Sequence, residues 1–251
     1  MKKAIDFVIS AEFGIFRIPE LQDPSLTFEF IPKSAILGIC GAILGLEGYS
    51  SGKKNPEFLS ALSEFEVAVT PYSKGEPAKI PFRKSLVTFT NFHGYGNVDG
   101  PWICTEQVLI RPAYRLTIIA DDSNPQFSKL VKLMKTNQTS FRPYFGKNEF
   151  LANLEFIGVF DVQDCVDDKV RCSSIYPVSS QGSVPSMRRG QPQPGTFKIF
   201  DNYAFSIDQN GRYVQKLFCF TDWEIFQKQA DLSVGRFYRL TSGDKRAVFA
   251  F

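Results

Sequence analysis

The stretch FIPKSAILGICGAILGLEGYS, residues 30–50, decides the fold because it places an apolar helix of unusual composition early in the chain. Glycines stand at positions 38, 41, 45 and 48, and a glycine inside a helix costs about 1 kcal/mol relative to alanine. At 3.6 residues per turn these positions fall on one side of the helix. The pattern predicts a smooth strip that packs closely against a sheet, another helix or a ligand backbone.

The same stretch is too short to cross a membrane. Its uncharged apolar run, Ala35 to Leu46, has twelve residues, whereas a span needs about 20. Pro32 precedes the helix, and Ser34 is the predicted N-cap.

Four strand patterns and a second helix accompany this helix. Apolar runs predict strands at residues 3–10, 64–71, 113–120 and 153–162, and a polar connection lies between the first strand and the first helix. The second helix begins after Asn124 as N-cap, with Pro125 at its first position. The order β-α-β-β-α-β predicts an α+β fold of the ferredoxin-like, RNA-recognition-motif-like kind over residues 1–165.

Two parts of the chain exceed this arrangement. Residues 72–112, between the second and third strands, are more than a hairpin loop needs, so an insertion is predicted there. Residues 166–251 consist of short Phe- and Tyr-rich segments separated by Gly, Ser and Pro. They predict a β-rich extension, either a small antiparallel sheet or an enlargement of the first sheet.

Composition narrows the possible functions. The net charge of +3 is too small to indicate nucleic-acid binding by itself, and His93 is the only histidine, which excludes multi-histidine metal sites. The five cysteines are scattered without a C-x-x-C pair, which argues against a disulfide framework and a structural zinc site. With no export signal visible at the start, we expect a cytoplasmic protein without metal or cofactor.

Two segments have a composition suited to single-stranded nucleic acid. Residues 72–100 interleave lysines and arginines with aromatic residues, and such cations and rings bind phosphates and bases. A hairpin that packs its aromatic residues on the core is the alternative. Residues 179–195 contain Arg188 and Arg189 among glycines and no acid, which suits either a phosphate clamp or a disordered loop.

Several enzyme motifs are missing from the sequence. It contains neither a Walker-type G-x-x-x-x-G-K-[ST] nor a G-x-S-x-G motif. Gly38 and Gly41 match the GXXG of KH domains, but they lie in an apolar helix, so we interpret the match as chance.

Four blocks together resemble the CRISPR-associated Cas five family, the RAMP-type subunits of type I Cascade complexes, with a style most like subtype I-B. The blocks, in chain order, are AEFGIFRIP (11–19), TFEFIPKSAILGICGAILGLEG (27–48), EQVLIRPAYRLTII (106–119) and RPYFGKNEFLANLEF (142–156).

The resemblance implies a noncatalytic subunit that grips the 5′ handle of the crRNA. It also implies that this subunit caps the backbone filament and contacts the Cascade large subunit, and it leaves open a contact with target DNA near the PAM. The 72–112 insertion would be the thumb of the family. The residues expected to contact RNA are Arg17, Lys33, Ser34, Gly38, Arg83, Lys84, Asn91, His93, Arg111, Arg142, Tyr144, Lys147, Arg188 and Arg189.

Two alternatives remain open. One branch of the family, in subtype I-C, is itself a metal-independent endoribonuclease that processes precursor crRNA. His93, Tyr95 and Lys84 could serve here as base and cation for such a cleavage. The other alternative is a general RNA-recognition-motif protein outside CRISPR, which would bind RNA on its sheet.

Overall fold

The computed structural model describes residues 1–22, 24–49, 55–73, 82–91, 102–179, 197–208, 210–241 and 245–251, without the side chains of residues 22, 91, 102 and 197–202. The architecture is mixed α+β and rich in strands. The helices are α1 (Lys33–Leu44), α2 (Glu57–Ala61) and α3 (Pro125–Lys135).

The strands are β1 (Lys2–Ser10), β2 (Phe13–Gly14), β3 (Arg17–Gln22), β4 (Ser25–Thr27), β5 (Glu66–Pro71), β6 (Arg83–Asn91), β7 (Trp102–Ile110), β8 (Ala113–Asp121), β9 (Asn153–Asp164), β10 (Lys169–Arg171), β11 (Tyr176–Pro177), β12 (Phe197–Ile207), β13 (Tyr213–Thr221), β14 (Glu224–Phe226), β15 (Arg236–Leu240) and β16 (Ala247–Ala250).

The first sheet has the strand order β16-β15-β9-β1-β8-β5. Its strands β1, β5, β8 and β9 confirm the four predicted strands within two residues at each end. Central β1 is antiparallel to both β8 and β9. One face of this sheet packs against α1 and α3, since Phe7, Ile36 and Phe127 belong to one buried cluster.

The first sheet curls until its two edges meet. The main chains of Val67 in β5 and Phe251 after β16 exchange two hydrogen bonds of 3.0 and 3.2 Å. The concave face therefore encloses a second buried cluster, which includes Ala4, Tyr238 and Val248. Consequently both faces of β1 are buried.

The second sheet has the order β2-β7-β4-β3, and β6 pairs with β7 as an antiparallel hairpin. The hairpin lies within residues 72–112, where the sequence predicted an insertion between two strands of the first sheet. The predicted polar connection before α1 was wrong, because β2, β3 and β4 occupy it. These strands are only two to six residues long. Strands β2 and β4 pair with β7, far along the chain, and β3 pairs with β4, which a local pattern does not reveal.

The C-terminal region combines both predicted forms. Strands β15 and β16 enlarge the first sheet, while β11, β13 and β12 form a separate antiparallel sheet and β10 pairs with β14. The division into two domains at residue 165 stays a prediction.

Helix α3 begins as predicted. The Asn124 side chain accepts hydrogen bonds from the backbone N–H groups of Gln126 and Phe127 at 3.0 and 3.1 Å, and Pro125 follows it. Helix α1 begins differently: its N-cap is Pro32, in an extended conformation, and Ser34 lies inside the helix. The Ser34 cap was therefore a wrong prediction.

The glycine strip of α1 faces another helix. Gly45, with φ of 80°, ends the helix, so only Gly38 and Gly41 lie inside it. A Cβ added to Gly41 would approach the Phe58 Cβ of α2 to 2.7 Å, whereas one at Gly38 would stay at least 3.5 Å from the same ring. Gly41 thus permits close packing of α2 on α1.

We expect Gly41→Ala and Gly38→Ala to change stability in opposite directions. Alanine gains about 1 kcal/mol of helix propensity at either position. At position 41 overpacking against Phe58 costs about 1–3 kcal/mol, and this cost outweighs the gain. Urea unfolding of both variants should give free energies about 2 kcal/mol apart, with Gly38→Ala the more stable. Equal values would contradict the assigned contact.

Candidate nucleic-acid interface

A groove of about 490 Å³ runs along α1. Its floor includes Ala35, Gly38 and Ala42 of α1. One wall is the turn of residues 15–17 between β2 and β3, and another is the segment 141–146 before β9. We call this feature the α1 groove.

Main-chain hydrogen bonds fix the groove walls. The Phe141 N–H donates to the Ala42 carbonyl at the end of α1 (2.9 Å). Four residues later, the Phe145 carbonyl accepts from the Ile15 N–H (3.1 Å). The segment between these bonds is therefore held to both the helix and the β2–β3 turn. The first and fourth sequence blocks of the family resemblance meet at this place.

Neighbouring residues of the 142–156 block have different surroundings. The Phe145 side chain is fully buried, and its ring stacks on Tyr114 with centroids 6.0 Å apart and an interplanar angle of 12°. Tyr144 points the other way, is 44% exposed and lines the α1 groove. Phe145 is thus a core residue, and Tyr144 is available to a ligand.

The α1 groove gathers four of the residues predicted to contact RNA: Arg17, Ser34, Gly38 and Tyr144. They come from β3, α1 and the segment before β9, which are distant in sequence. No side chain caps the N-terminus of α1, and free N–H groups at a helix start favour anions.

Exposed aromatic side chains that the sequence reasoning missed also line the groove. Tyr49 is 74% exposed and Phe141 is 60% exposed. Flat exposed rings beside a cation form a surface on which unpaired bases can stack. Phe141 immediately precedes the quoted 142–156 block, so its position next to that motif was the available signal.

A buried carboxylate pairs the groove residue Arg17 with a second predicted cation. Glu106 of β7, 3% exposed, accepts hydrogen bonds from the Arg17 guanidinium and, at 2.8 Å, from the Lys147 ammonium. Burial acts to raise the pKa of Glu106, but the hydrogen bonds from Lys147 and Arg17 outweigh burial and hold this pKa below its usual range. Sequence reasoning did not single out Glu106, although it opens the 106–119 block.

Lys33 lies on another side of α1. Its ammonium donates to the main-chain oxygen of Phe251 at 2.6 Å and lines a second cavity of about 590 Å³. Burial of this ammonium lowers its pKa to about 8, while Glu66 opposes the shift. Its predicted contact with RNA stays a prediction.

We expect the contribution of Lys33 to the free energy of unfolding to become more favourable as the pH rises. Its folded-state pKa of about 8 lies below the ordinary value of 10.5, so between these pH values the unfolded chain binds more protons. The cost of burying the charge is fully present below pH 8 and disappears towards pH 10.5. Relative to Lys33→Met, the wild type should therefore gain stability over this window in urea titrations.

The matched control is Lys132→Met at an exposed position of α3. For each variant, the difference in unfolding free energy from the wild type is followed with pH. If this difference changes in the same way for Lys33→Met and Lys132→Met, burial of the Lys33 ammonium does not cause the effect.

The remaining predicted residues either do not line the α1 groove or lie outside the described part of the chain. Lys84 of β6 lies 3.6 Å from Glu29, and Arg111, with φ of 49°, pairs with Glu12 at the turn into β8. Arg83 and Arg142 are exposed. The side chain of Asn91 and the residues His93, Tyr95, Arg188 and Arg189 lie outside the described part.

The described residues show neither a membrane-spanning helix nor a cluster of metal ligands. None of their helices combines the length and apolar character required to cross a bilayer. They also contain no group of three or more His, Cys, Asp or Glu side chains placed to hold a metal ion.

Comparison with known proteins gives matches among solved structures only. No family model and no curated protein matches the chain. A chain of a CRISPR RNA-guided surveillance complex is 12% identical with a TM-score of 0.47, and the match covers 89% of this chain and 92% of that one. A CRISPR protein from Archaeoglobus fulgidus is 14% identical, with a TM-score of 0.40 and 98% of each chain covered.

A third match is the crystal structure of a CRISPR-associated protein, with 12% identity and a TM-score of 0.32. It covers 62% of this chain, which spans 66% of that protein. The structural neighbours thus include CRISPR-associated proteins. Because all three TM-scores are below 0.5, the function is inferred from the residues of this chain.

Proposed function

We propose that this protein is a noncatalytic, crRNA-binding subunit of a type I CRISPR Cascade complex, most like subtype I-B. The observation that carries the proposal is the convergence of Arg17, Ser34, Gly38 and Tyr144 in the α1 groove. The family resemblance identifies these residues from the sequence blocks alone. Three distant segments would have no reason to bring them together if the resemblance were accidental.

The chemistry of the groove supports single-stranded RNA as the ligand. Arg17 and the start of α1 supply positive charge for phosphates, whereas Tyr49, Phe141 and Tyr144 expose rings for bases. Stacking on such rings contributes about 1–3 kcal/mol per base. The groove is therefore suited to a short unpaired segment such as a 5′ handle.

The first sheet supports the same placement. Within it, the strand order β9-β1-β8-β5, with α1 and α3 on one face, supports the proposed ferredoxin-like arrangement. RNA-recognition motifs bind RNA on the face opposite the helices. Here that face is covered, because Ala4 and Ile119 pack against Tyr238 and Val248. This argues for the α1 groove and against a general RNA-recognition-motif protein.

The proposed Cascade contacts follow from the resemblance and suit the β6–β7 hairpin. In this proposal the hairpin is the thumb, and the subunit caps the backbone filament and meets the large subunit. Leu86, Val87 and Ile103 of the hairpin are 60%, 41% and 67% exposed. Leu86 and Ile103 lie on one face of the hairpin and Val87 lies on the other, and exposed apolar side chains are ones that a neighbouring subunit would cover.

The proposal is tested with Tyr144→Ala and a matched control, Phe226→Ala. Tyr144 and Phe226 are 44% and 43% exposed, but only Tyr144 lines the groove. We expect Tyr144→Ala to weaken binding of end-labelled 5′-handle RNA about tenfold or more, the loss of one stacked base. Phe226→Ala should change it less than about twofold.

The binding assay also separates the alternatives. Equal losses in the two variants would contradict the groove assignment. Equal binding of all RNA sequences would favour a general RNA binder. Cleavage of repeat RNA in EDTA that is lost in His93→Ala would instead indicate a processing nuclease.

A further inference from the structure

Glu106 is a buried acid shared by two cations, of which Arg17 lines the α1 groove. Its two carboxylate oxygens accept from different partners, Oε1 from Arg17 and Oε2 from Lys147. These three residues belong to β7, β3 and the segment before β9. One carboxylate therefore fixes the positions of two charged groups that the backbone alone leaves on separate segments.

The cations keep positive charge that Glu106 does not neutralise. One carboxylate faces two cations, so the group carries a net charge of +1. The side chain of Arg17 is 59% exposed and lines the groove, while that of Lys147 is 25% exposed. The Lys147 ammonium also lies 4.1 Å from the centre of the Phe89 ring, which limits its movement. Arg17 is thus largely accessible to a ligand, and Lys147 is partly accessible.

We propose that Glu106 is a positioning residue that holds Arg17 and Lys147 together as a subsite for one phosphate group of the bound RNA. The proposal rests on the proposed function. Glu106 itself does not touch the ligand, because its side chain is 3% exposed and its negative charge would repel a phosphate. Its effect is to orient the fork of Arg17 and the ammonium of Lys147 before RNA arrives, which reduces the ordering cost of binding.

The test compares Glu106→Gln with Asp167→Asn. Both substitutions remove one negative charge. Asp167 lies on the loop after β9, pairs with Arg239 of β15 and does not line the groove. Affinity is measured for 5′-handle RNA and for a scrambled RNA of equal length at several salt concentrations, together with the melting temperature. The ratio of the two affinities is the readout, because phosphate contacts fix the register of a bound strand, and only RNA bound in the register of the handle would place its phosphate between Arg17 and Lys147. A loss of stability alone does not change this ratio in folded protein.

We expect Glu106→Gln to lower the affinity ratio about fivefold or more through weaker binding of the handle. Glutamine keeps one acceptor oxygen but turns an NH₂ group towards the second cation, so one cation is released. The gain of one positive charge acts in the opposite direction and should raise the affinity for both RNAs. Asp167→Asn should show only this charge effect and keep the ratio of the wild type.

Glu106→Asp provides a second measurement. It keeps the charge with a shorter reach, so we expect its ratio to lie between those of the wild type and Glu106→Gln. If Glu106→Gln does not fold, a ratio for Glu106→Asp equal to that of the wild type overturns the inference, and a lower ratio supports it.

The remaining outcomes separate the two proposals. Suppose that the wild type prefers the handle. If Glu106→Gln then keeps the wild-type ratio or binds the handle more tightly, only the role of Glu106 is overturned. A wild-type protein that does not distinguish handle from scrambled RNA overturns the proposed function as well.

Discussion

Asp6→Ala is expected to lower the free energy of unfolding by about 3–5 kcal/mol at neutral pH, because it leaves two buried cations without their acid. Asp6 is fully buried on the concave face of the first sheet. Its Oδ2 accepts from Arg115 at 2.7 and 3.0 Å and from Arg246 at 2.6 Å. The side chains of these arginines are only 17% and 10% exposed, so water cannot replace the lost carboxylate.

The large effect depends on enclosure by the curled sheet. Arg246 follows β15 in sequence and also donates to Thr117 of β8 at 2.8 Å. It thereby links the last part of the chain to the centre of the first sheet. Removal of Asp6 should therefore weaken the closure of the sheet as well as one ion pair, and unfolding in urea should begin at lower concentration.

The control for Asp6 is another acid-arginine pair in an exposed position. Glu12 and Arg111 lie 3.3 Å apart with side chains 76% and 80% exposed. Glu12→Ala should cost no more than about 1 kcal/mol, because surface pairs are screened by water and salt. If Asp6→Ala lowers the free energy of unfolding as little as Glu12→Ala does, the enclosed contacts of Asp6 with Arg115 and Arg246 do not stabilise the fold.

Gly146→Ala is the second substitution with a large expected effect, a loss of about 2–5 kcal/mol of unfolding free energy. Gly146 has φ of 77°, a conformation that disfavours residues with a Cβ. A Cβ there would lie 1.7 Å from the Ile15 carbonyl oxygen. Because this atom belongs to the backbone, the β2–β3 turn would have to move away from the 141–146 segment.

Gly211→Ala separates the two causes. Gly211 has φ of 80°, but its nearest neighbour to an added Cβ is an Asn55 oxygen at 3.8 Å. It should therefore show only the cost of the left-handed conformation, about 1–2 kcal/mol. Gly146→Ala should cost more and should also weaken handle RNA binding, since it displaces a groove wall. Equal losses in urea unfolding would show that the contact with Ile15 is unimportant.

Local patterns predicted much of the fold. The apolar runs that form β1, β5, β8 and β9 and the Asn124-Pro125 start of α3 are local patterns of a few residues. The elements that were missed, such as β2 to β4 and α2, are short. Their own sequence does not stabilise them: β2 and β4 pair with β7, β3 pairs with β4, and α2 packs on α1.

The candidate site divides in the same way. The resemblance of the sequence blocks predicted Arg17, Ser34, Gly38 and Tyr144 as RNA-contacting residues, and these four line one groove. The blocks could not indicate that Lys33 lies on another side of α1, bonded to Phe251.

By itself, the sequence determined the positions of the main helices and strands, because these depend on neighbouring residues. Only the tertiary structure decided that the first sheet closes on itself, that Gly41 faces Phe58, and that Glu106 lies between Arg17 and Lys147. The physical reason is that each of these contacts joins segments whose pairing is selected by the burial of the whole chain, not by the preference of any one segment.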